Sequence, residues 1–358
     1  MMVTAYLDSN DLLHLLSQLM FSEATKDTLP VLSRKEFEEM LSLANSHHVI
    51  MRSMGVLRGI LVDERDSEWY QWACEAIKRE RVRIDRAISF LQEICGALAS
   101  EGRQVAVIKS LDHWPDLGSD LDLYTDADPL EVTRVMTQVF EARIAARSWG
   151  DRLANKWNFA IPGLPELVEI HMGRIGQTGE LIGFAGSLVA RSRSLQIGNR
   201  FFQVPAAEDR IMICTLQRMY RHFYVRLCDI ADTAELLESG TVDYDDLHSS
   251  AQESGIWEGV ATFLTIVSDY VKKYRGNEVV LPSSVRAAAQ FGGDQVRFGK
   301  GFLRVPILPH SARLYASEWS TLMRNGQFRS TIRLSLLPCL ATAAALGQKI
   351  TGSDKGIW

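Results

Sequence analysis

In "SDLDLYT", Asp120 and Asp122 alternate with Leu121 and Leu123. In "LVEIHMG", Glu169 and His171 alternate with Val168 and Ile170. Side chains along a strand point to opposite faces in turn. The leucines of the first segment can therefore enter a core while Asp120 and Asp122 share the other face. Two like charges about 4 Å apart repel by about 4 kcal/mol at an effective dielectric near 20. Solvent, a basic side chain or a bound cation can offset that repulsion. If the two segments are neighbouring strands, Glu169 joins the aspartates. Three carboxylates at one spot suit Mg2+ (or Mn2+), hard ions that take carboxylates, waters and substrate phosphates. Two such ions about 3.5–4 Å apart suit in-line phosphoryl or nucleotidyl displacement. From the residues alone, a solvated sheet face with no chemistry stays open beside this.

Other chemistries find little in the chain. Counted from Asp120, a calcium loop needs Asp or Asn at the fifth place and Gly at the sixth, where Tyr124 and Thr125 stand. "GRIGQTG" is spaced unlike a dinucleotide fingerprint, and Walker A, HExxH and GxSxG patterns do not occur. Cys74, Cys95, Cys214, Cys228 and Cys339 are scattered without a CxxC pair, which fits a reducing cytoplasm better than a disulfide framework. The net charge of −5 supplies no global basic field, so a nucleic-acid partner is disfavoured. The first residues lack a signal-peptide pattern, and no apolar run is long enough for a transmembrane segment. Residues 334–347, preceded by Arg329 and Arg333, are the one apolar stretch suited to docking on a partner, on the chain itself or on a membrane surface.

The elements that must position these residues fall into three blocks. Residues 1–102 read as helices, with a cap-like Ser33 and an apolar stripe of Ile84, Ile88, Leu91 and Ile94. Residues 103–205 are mixed. "QVAVIKS", "SDLDLYT", "KWNFAIPG", "ELVEIHMG" and "RFFQVP" read as strands, and a helix starts near Pro129. Residues 206–358 return to helices. Met212, Leu216, Met219, Phe223, Leu227 and Ile230 predict one continuous helix on their spacings of four and three. Arg218, His222 and Arg226 recur every four residues off that stripe, either as a solvated face or as a basic face on a cleft.

The order of these segments resembles the polymerase-β superfamily of nucleotidyltransferases. That family carries a Gly-[Gly/Ser] turn after a first strand and helix, then Asp-hydrophobic-Asp on a strand, then a third acid on a later strand. Here "VAVIKS" supplies the strand, Ser110 the turn serine, Asp120 and Asp122 the acidic pair, and Glu169 the third acid. A subgroup of uncharacterised bacterial nucleotidyltransferase-like proteins is more similar still. Lys109 matches the lysine of its Leu-Lys-Gly, "VEIH" its Val-Glu-hydrophobic-His, and His222, Arg226, Leu227, Asp229 and Ile230 a downstream helical pattern. The likeness spans about residues 30–240.

The resemblance implies an α+β fold, a small mixed-sheet nucleotidyltransferase core between N- and C-terminal helical regions. It implies transfer of a nucleoside monophosphate from an NTP to an acceptor hydroxyl on a small molecule, a protein or RNA. Asp120, Asp122 and Glu169 would be catalytic and hold Mg2+ (or Mn2+), and Glu169 could instead take the acceptor's proton. Lys109 and Ser110 would anchor phosphates, and Arg218, His222 and Arg226 would contact nucleotide or acceptor. Truncating Arg218 and Arg226 should then weaken nucleotide binding without unfolding the chain. His171 would orient or assist, and Lys156 and Arg174 are lesser candidates. The turn glycine is replaced by Lys109 or Ser110. The alternative is therefore a catalytically idle relative that binds nucleotide or a partner.

Overall fold

The computed structural model describes residues 7–337. Its architecture is α+β: a mixed five-stranded sheet drawn from the middle of the chain, with helices before and after it. The sheet order is β1 (Val105–Val107), β2 (Asp120–Thr125), β5 (Leu167–Met172), β4 (Lys156–Ala160), β3 (Arg143–Ile144). Only β2 and β5 run parallel; the other pairs are antiparallel. The strands expected over 103–205 are all found, including the last as half of a hairpin, β6 (Arg193–Ile197) with β7 (Arg200–Val204).

One sheet face is apolar. Leu121 and Leu123 of β2, Val168 and Ile170 of β5 and Phe159 of β4 are fully buried. They share a core with Val132, Val135 and Met136 of α5 (Pro129–Val139) and with the second half of α4 (Glu68–Ser100). Helix α4 has 33 residues, so it spans about 50 Å at about 1.5 Å per residue. Ser67 caps it, its side chain accepting from Tyr70 N–H. Its Ile84, Ile88, Leu91 and Ile94 enter the sheet core, whereas Ala73, Ala76 and Ile77 enter a second, helical core. One amphipathic helix thus serves both cores.

The helical core gathers α1 (Ser9–Phe21), α2 (Arg34–Ser46), α3 (Ile50–Ile60) and the helices after the sheet. Among the latter, α11 (Trp257–Arg275) is buried along most of its length. The continuous helix expected after Ala206 is broken. Helix α8 (Ala207–Thr215) passes into a π-helical turn, Leu216–His222, and Phe223 is left-handed at φ 54°. A two-residue strand β8 (Tyr224–Val225) follows, and α9 (Leu227–Glu238) begins afresh. Within the region expected to be helical after residue 206 lies a hairpin, β9 (Arg297–Gly299) with β10 (Phe302–Arg304), and β10 also pairs with β8. No helix among the described residues is long and apolar enough to cross a membrane. Leu334 and Leu337 are buried and Leu336 is exposed; residues 338–347, with Cys339, lie outside the described residues.

Candidate active site

The polar face of the sheet carries the acids. Strands β2 and β5 pair in parallel with Asp122 opposite Glu169 and Tyr124 opposite His171. This register sets Glu169 beside the aspartates, as the alternation requires if the strands are neighbours. Asp122, Glu169 and His171 each place a ligand atom within 4.8 Å of the others.

Lys109 and Ser110 form the turn before β2. Lys109 has φ 62° and ψ −55°, and Ser110 N–H donates to Ile108 O at 2.6 Å. This is a tight γ-turn, strained for a residue other than glycine. Ser110 Oγ accepts from Asp122 N–H at 2.7 Å and donates to Asp120 O at 3.2 Å. Both donors of Ser110 are thus spent inside the protein, clamping turn to strand, where a phosphate contact was expected. Lys109 is placed differently as well. Its ammonium pairs with Asp122 and lies 3.4 Å from Glu169 Oε1. Burial disfavours its charge, but the two carboxylates outweigh that and raise its pKa.

Glu169 is crowded with cations. Lys156 Nζ is 2.9 Å from Oε2 and His171 Nε2 is 3.0 Å from Oε1. Burial pushes its pKa up, yet Lys109, Lys156 and His171 hold it well below the usual range. These neighbours favour its charged form. Lys156 also binds Asp151 at 2.8 Å, and Asp151 lies 3.8 Å from Arg221. Asp120 stands apart: among the described residues its side chain is hydrogen-bonded only to the Ser119 hydroxyl, at 3.3 Å. Burial, then the charges of Asp122 and Glu169, push it up to about 6.

The helix break brings the basic groups over these acids. Arg218 Nε lies 2.7 Å from Asp229 Oδ2, and both residues are almost wholly buried. In one continuous helix, eleven residues would separate them by about 16 Å. The left-handed Phe223 folds the chain back so that they meet. Asp229 also accepts from Arg226 N–H at 2.7 Å, fixing the start of α9. Arg218, His222 and Arg226 therefore all line the cleft, joined by Arg221, but as two segments rather than one helical stripe. The solvated-face alternative fails for Arg218, which is 1% exposed. Arg218 also holds the buried Asp229 carboxylate, so its truncation is expected to cost stability. Arg174 does not line the cleft.

Several residues here had no part in the sequence reading. His47 Nδ1 accepts from Leu227 N–H at 3.0 Å and its Nε2 donates to Gly301 O at 2.9 Å; burial lowers its pKa to about 4. His48 Nε2 accepts from Arg226 Nη1 at 2.6 Å, and burial with the Arg226 charge keeps it neutral. His48 stacks on His113, whose Nδ1 pairs with Asp232. Tyr224 stacks on Phe302 at 4.3 Å, with Arg218, Arg226 and Arg304 over its ring. Arg221, three residues from Arg218, was open to discovery from helical spacing. His48 lies far away in the chain, and nothing local marks it.

Asp120, Asp122 and Glu169 thus share one cleft with Lys109, Lys156, Arg218, Arg221 and Arg226. The histidines are neutral where their pKa is resolved, because burial lowers both His48 and His222. A larger concavity of about 560 Å³ lies between α1, α11 and the β9–β10 region. Its acidic and histidine side chains do not converge to ligand distance.

No family model and no curated protein matches the chain. Solved structures with partial likeness include the solution structure of the antibiotic-resistance factor ANT(2'')-Ia. It has 9% identity and a TM-score of 0.34, over 47% of this chain and 90% of that one. The crystal structure of an antigenic nucleotidyltransferase-like protein from Paracoccidioides brasiliensis has 13% identity and a TM-score of 0.34. It covers 57% of this chain and 97% of its own. The chemistry of the cleft stands independently of both: three acids on two strands, faced by five basic side chains.

Proposed function

We propose that the chain is a metal-dependent nucleotidyltransferase that moves a nucleoside monophosphate from an NTP to an acceptor hydroxyl. The observation that carries this reading is Asp120 and Asp122 on one strand face, with Glu169 in register beside them and Arg221 and Arg226 above. The residues present fit a hard divalent cation. Asp120 is a desolvated carboxylate without an ion pair among the described residues, and burial with the charges of Asp122 and Glu169 raises its pKa. Asp120 and Asp122 would hold Mg2+ or Mn2+, which when bound polarises phosphoryl oxygens and acidifies the acceptor hydroxyl. The acceptor oxygen attacks the α-phosphorus, the bond from the α-phosphorus to the bridging oxygen breaks, and pyrophosphate leaves. Arg221, Arg226 and His222 bind phosphate or acceptor from the broken helix. The acceptor's proton passes to solvent, because Asp120 is engaged as a metal ligand in this reading.

In this reading residues 103–205 form the catalytic core, and the N- and C-terminal helical regions 1–102 and 206–358 complete the cleft through residues such as His48 and Arg221. The acceptor is a small molecule or a protein rather than RNA, given the net charge of −5. The cytoplasm is the proposed location, where thiols such as Cys214 and Cys228 stay reduced. Labelled NTPs with Mg2+ or Mn2+ and cell extract should yield a labelled adduct, and Asp120→Asn with Asp122→Asn should abolish it. One observation favours a second reading, a relative that binds without turnover: the lysine-bearing turn spends both Ser110 donors internally. Calorimetric binding of an NTP with no adduct from any extract would select it.

A further inference from the structure

Lys109 occupies the place where a second cation would stand. Its ammonium pairs with Asp122 and reaches Glu169 Oε1 at 3.4 Å. Those two acids, with His171, are one of two groups among the described residues whose ligand atoms converge; the other is His113, Cys228 and Asp232. Glu169 is already satisfied, with Lys156 on one oxygen and Lys109 and His171 on the other. A divalent ion arriving there would face two ammonium groups for one carboxylate.

The turn holds Lys109 in this position. Its positive φ is a strained state that persists only where surroundings over-determine it. Ser110 supplies that constraint by bonding both Asp120 and Asp122 of β2 through their backbone. Outside the cleft itself, which Lys109 also lines, the ammonium has no other home. Two small cavities flank Lys109, of about 40 and about 20 Å³. The first is lined by no acidic residue; the second offers Asp112, already bound by Arg210 at 2.6 Å, with Asp229 and Asp232, which pair with Arg218 and Arg52. Moving the ammonium into either would strand a buried charge. Asp120, by contrast, is in no ion pair among the described residues.

We infer that Lys109 is a resident cation: it fills the Asp122–Glu169 position and limits the cleft to a single divalent ion, held at Asp120 and Asp122. This rests on the metal-dependent reading above and deepens it. A lysine in place of the turn glycine then marks a one-ion site, in which a fixed ammonium supplies the positive charge of the second ion without needing to be bound from solution.

Electron paramagnetic resonance of the full chain titrated with Mn2+ tests this by stoichiometry, without activity. The native protein should bind one Mn2+ per chain, and Asp120→Asn with Asp122→Asn should bind none. Lys109→Met should bind two, with the line broadening of two neighbouring Mn2+ ions. Lys109→Arg, which keeps the charge, should stay at one. Two ions in the native protein, or one in a folded Lys109→Met chain, overturn the inference and leave the proposed function intact. If Lys109→Met does not fold, the native count and Lys109→Arg still decide, since two ions in either overturn it. No bound Mn2+ in the native protein overturns the metal-dependent reading and the inference together.

Discussion

Removing the Arg218 guanidinium would leave Asp229 charged, buried and bonded only to Arg226 N–H and its thiol neighbours. Breaking such a pair from one side costs about 3–5 kcal/mol. Arg218→Ala is therefore expected to lose stability on that scale in urea unfolding. Arg218→Met with Asp229→Asn, which keeps the bond to Arg226 N–H and carries no buried charge, should lose clearly less. Equal losses would show that the ion pair is not what holds the break. Arg221 has a different part. It lines the cleft and its nearest acid, Asp151, is 3.8 Å away. Arg221→Ala should weaken NTP binding by about tenfold, or about 1.4 kcal/mol, with little change in melting temperature. Unchanged affinity by calorimetry would remove Arg221 from the phosphate site. At this scale the acids were legible, because a period of two fixes which side chains share a face. The roles of Lys109 and Ser110 were not. Whether a lysine meets a phosphate or a carboxylate depends on what the fold sets beside it.

At the scale of elements, the β2–β5 arrangement could be read because each strand carries its own alternation. The break after His222 could not. The apolar stripe runs on through Phe223 to Ile230, so local spacing argues for one helix. What overrides it is non-local: the Arg218–Asp229 pair, and the pairing of Tyr224 and Val225 with Arg304 and Leu303. The β9–β10 strands are three residues each, too short for alternation to show. A second contact across distant elements makes a prediction. Glu318 of α13 (Ala312–Arg324) is fully buried and faces the carboxyl group of Glu180. Burial, then the charge of Glu180, raises its pKa well above the usual value of 4.5. The folded state therefore holds this proton where the unfolded chain has lost it, and stability falls as pH rises from 4.5 through the folded value. Glu318→Gln removes that titration. Its melting temperature should exceed the native one at pH 8 by a few degrees, corresponding to about 1 kcal/mol, and the gap should narrow near pH 5. A variant less stable than native at pH 8 would contradict the buried acid's cost.

The whole molecule joins its two cores through α4 and through the charged cleft between sheet and helices, so the cleft's ion pairs bear on global stability as well as on chemistry. Glu169 and Asp229 are both held below their usual pKa values: burial opposes their charge, but Lys109 and Lys156 for the first and Arg218 for the second outweigh it. A depressed carboxylate adds stability that is present above its unfolded pKa and disappears as pH falls through the folded value. The unfolded values are 4.5 for Glu169 and 3.8 for Asp229, so this contribution should be complete at pH 6 and lost progressively below about pH 4. Glu169→Gln lacks its share at every pH and leaves two lysines without that partner. Native and variant should thus differ most near pH 6 and approach each other in acid, as read by thermal unfolding from pH 3 to 6. A gap that stays constant down to pH 3 would mean that the lysines do not stabilise the Glu169 charge. The cleft would then lack the fixed positive field that an incoming triphosphate needs.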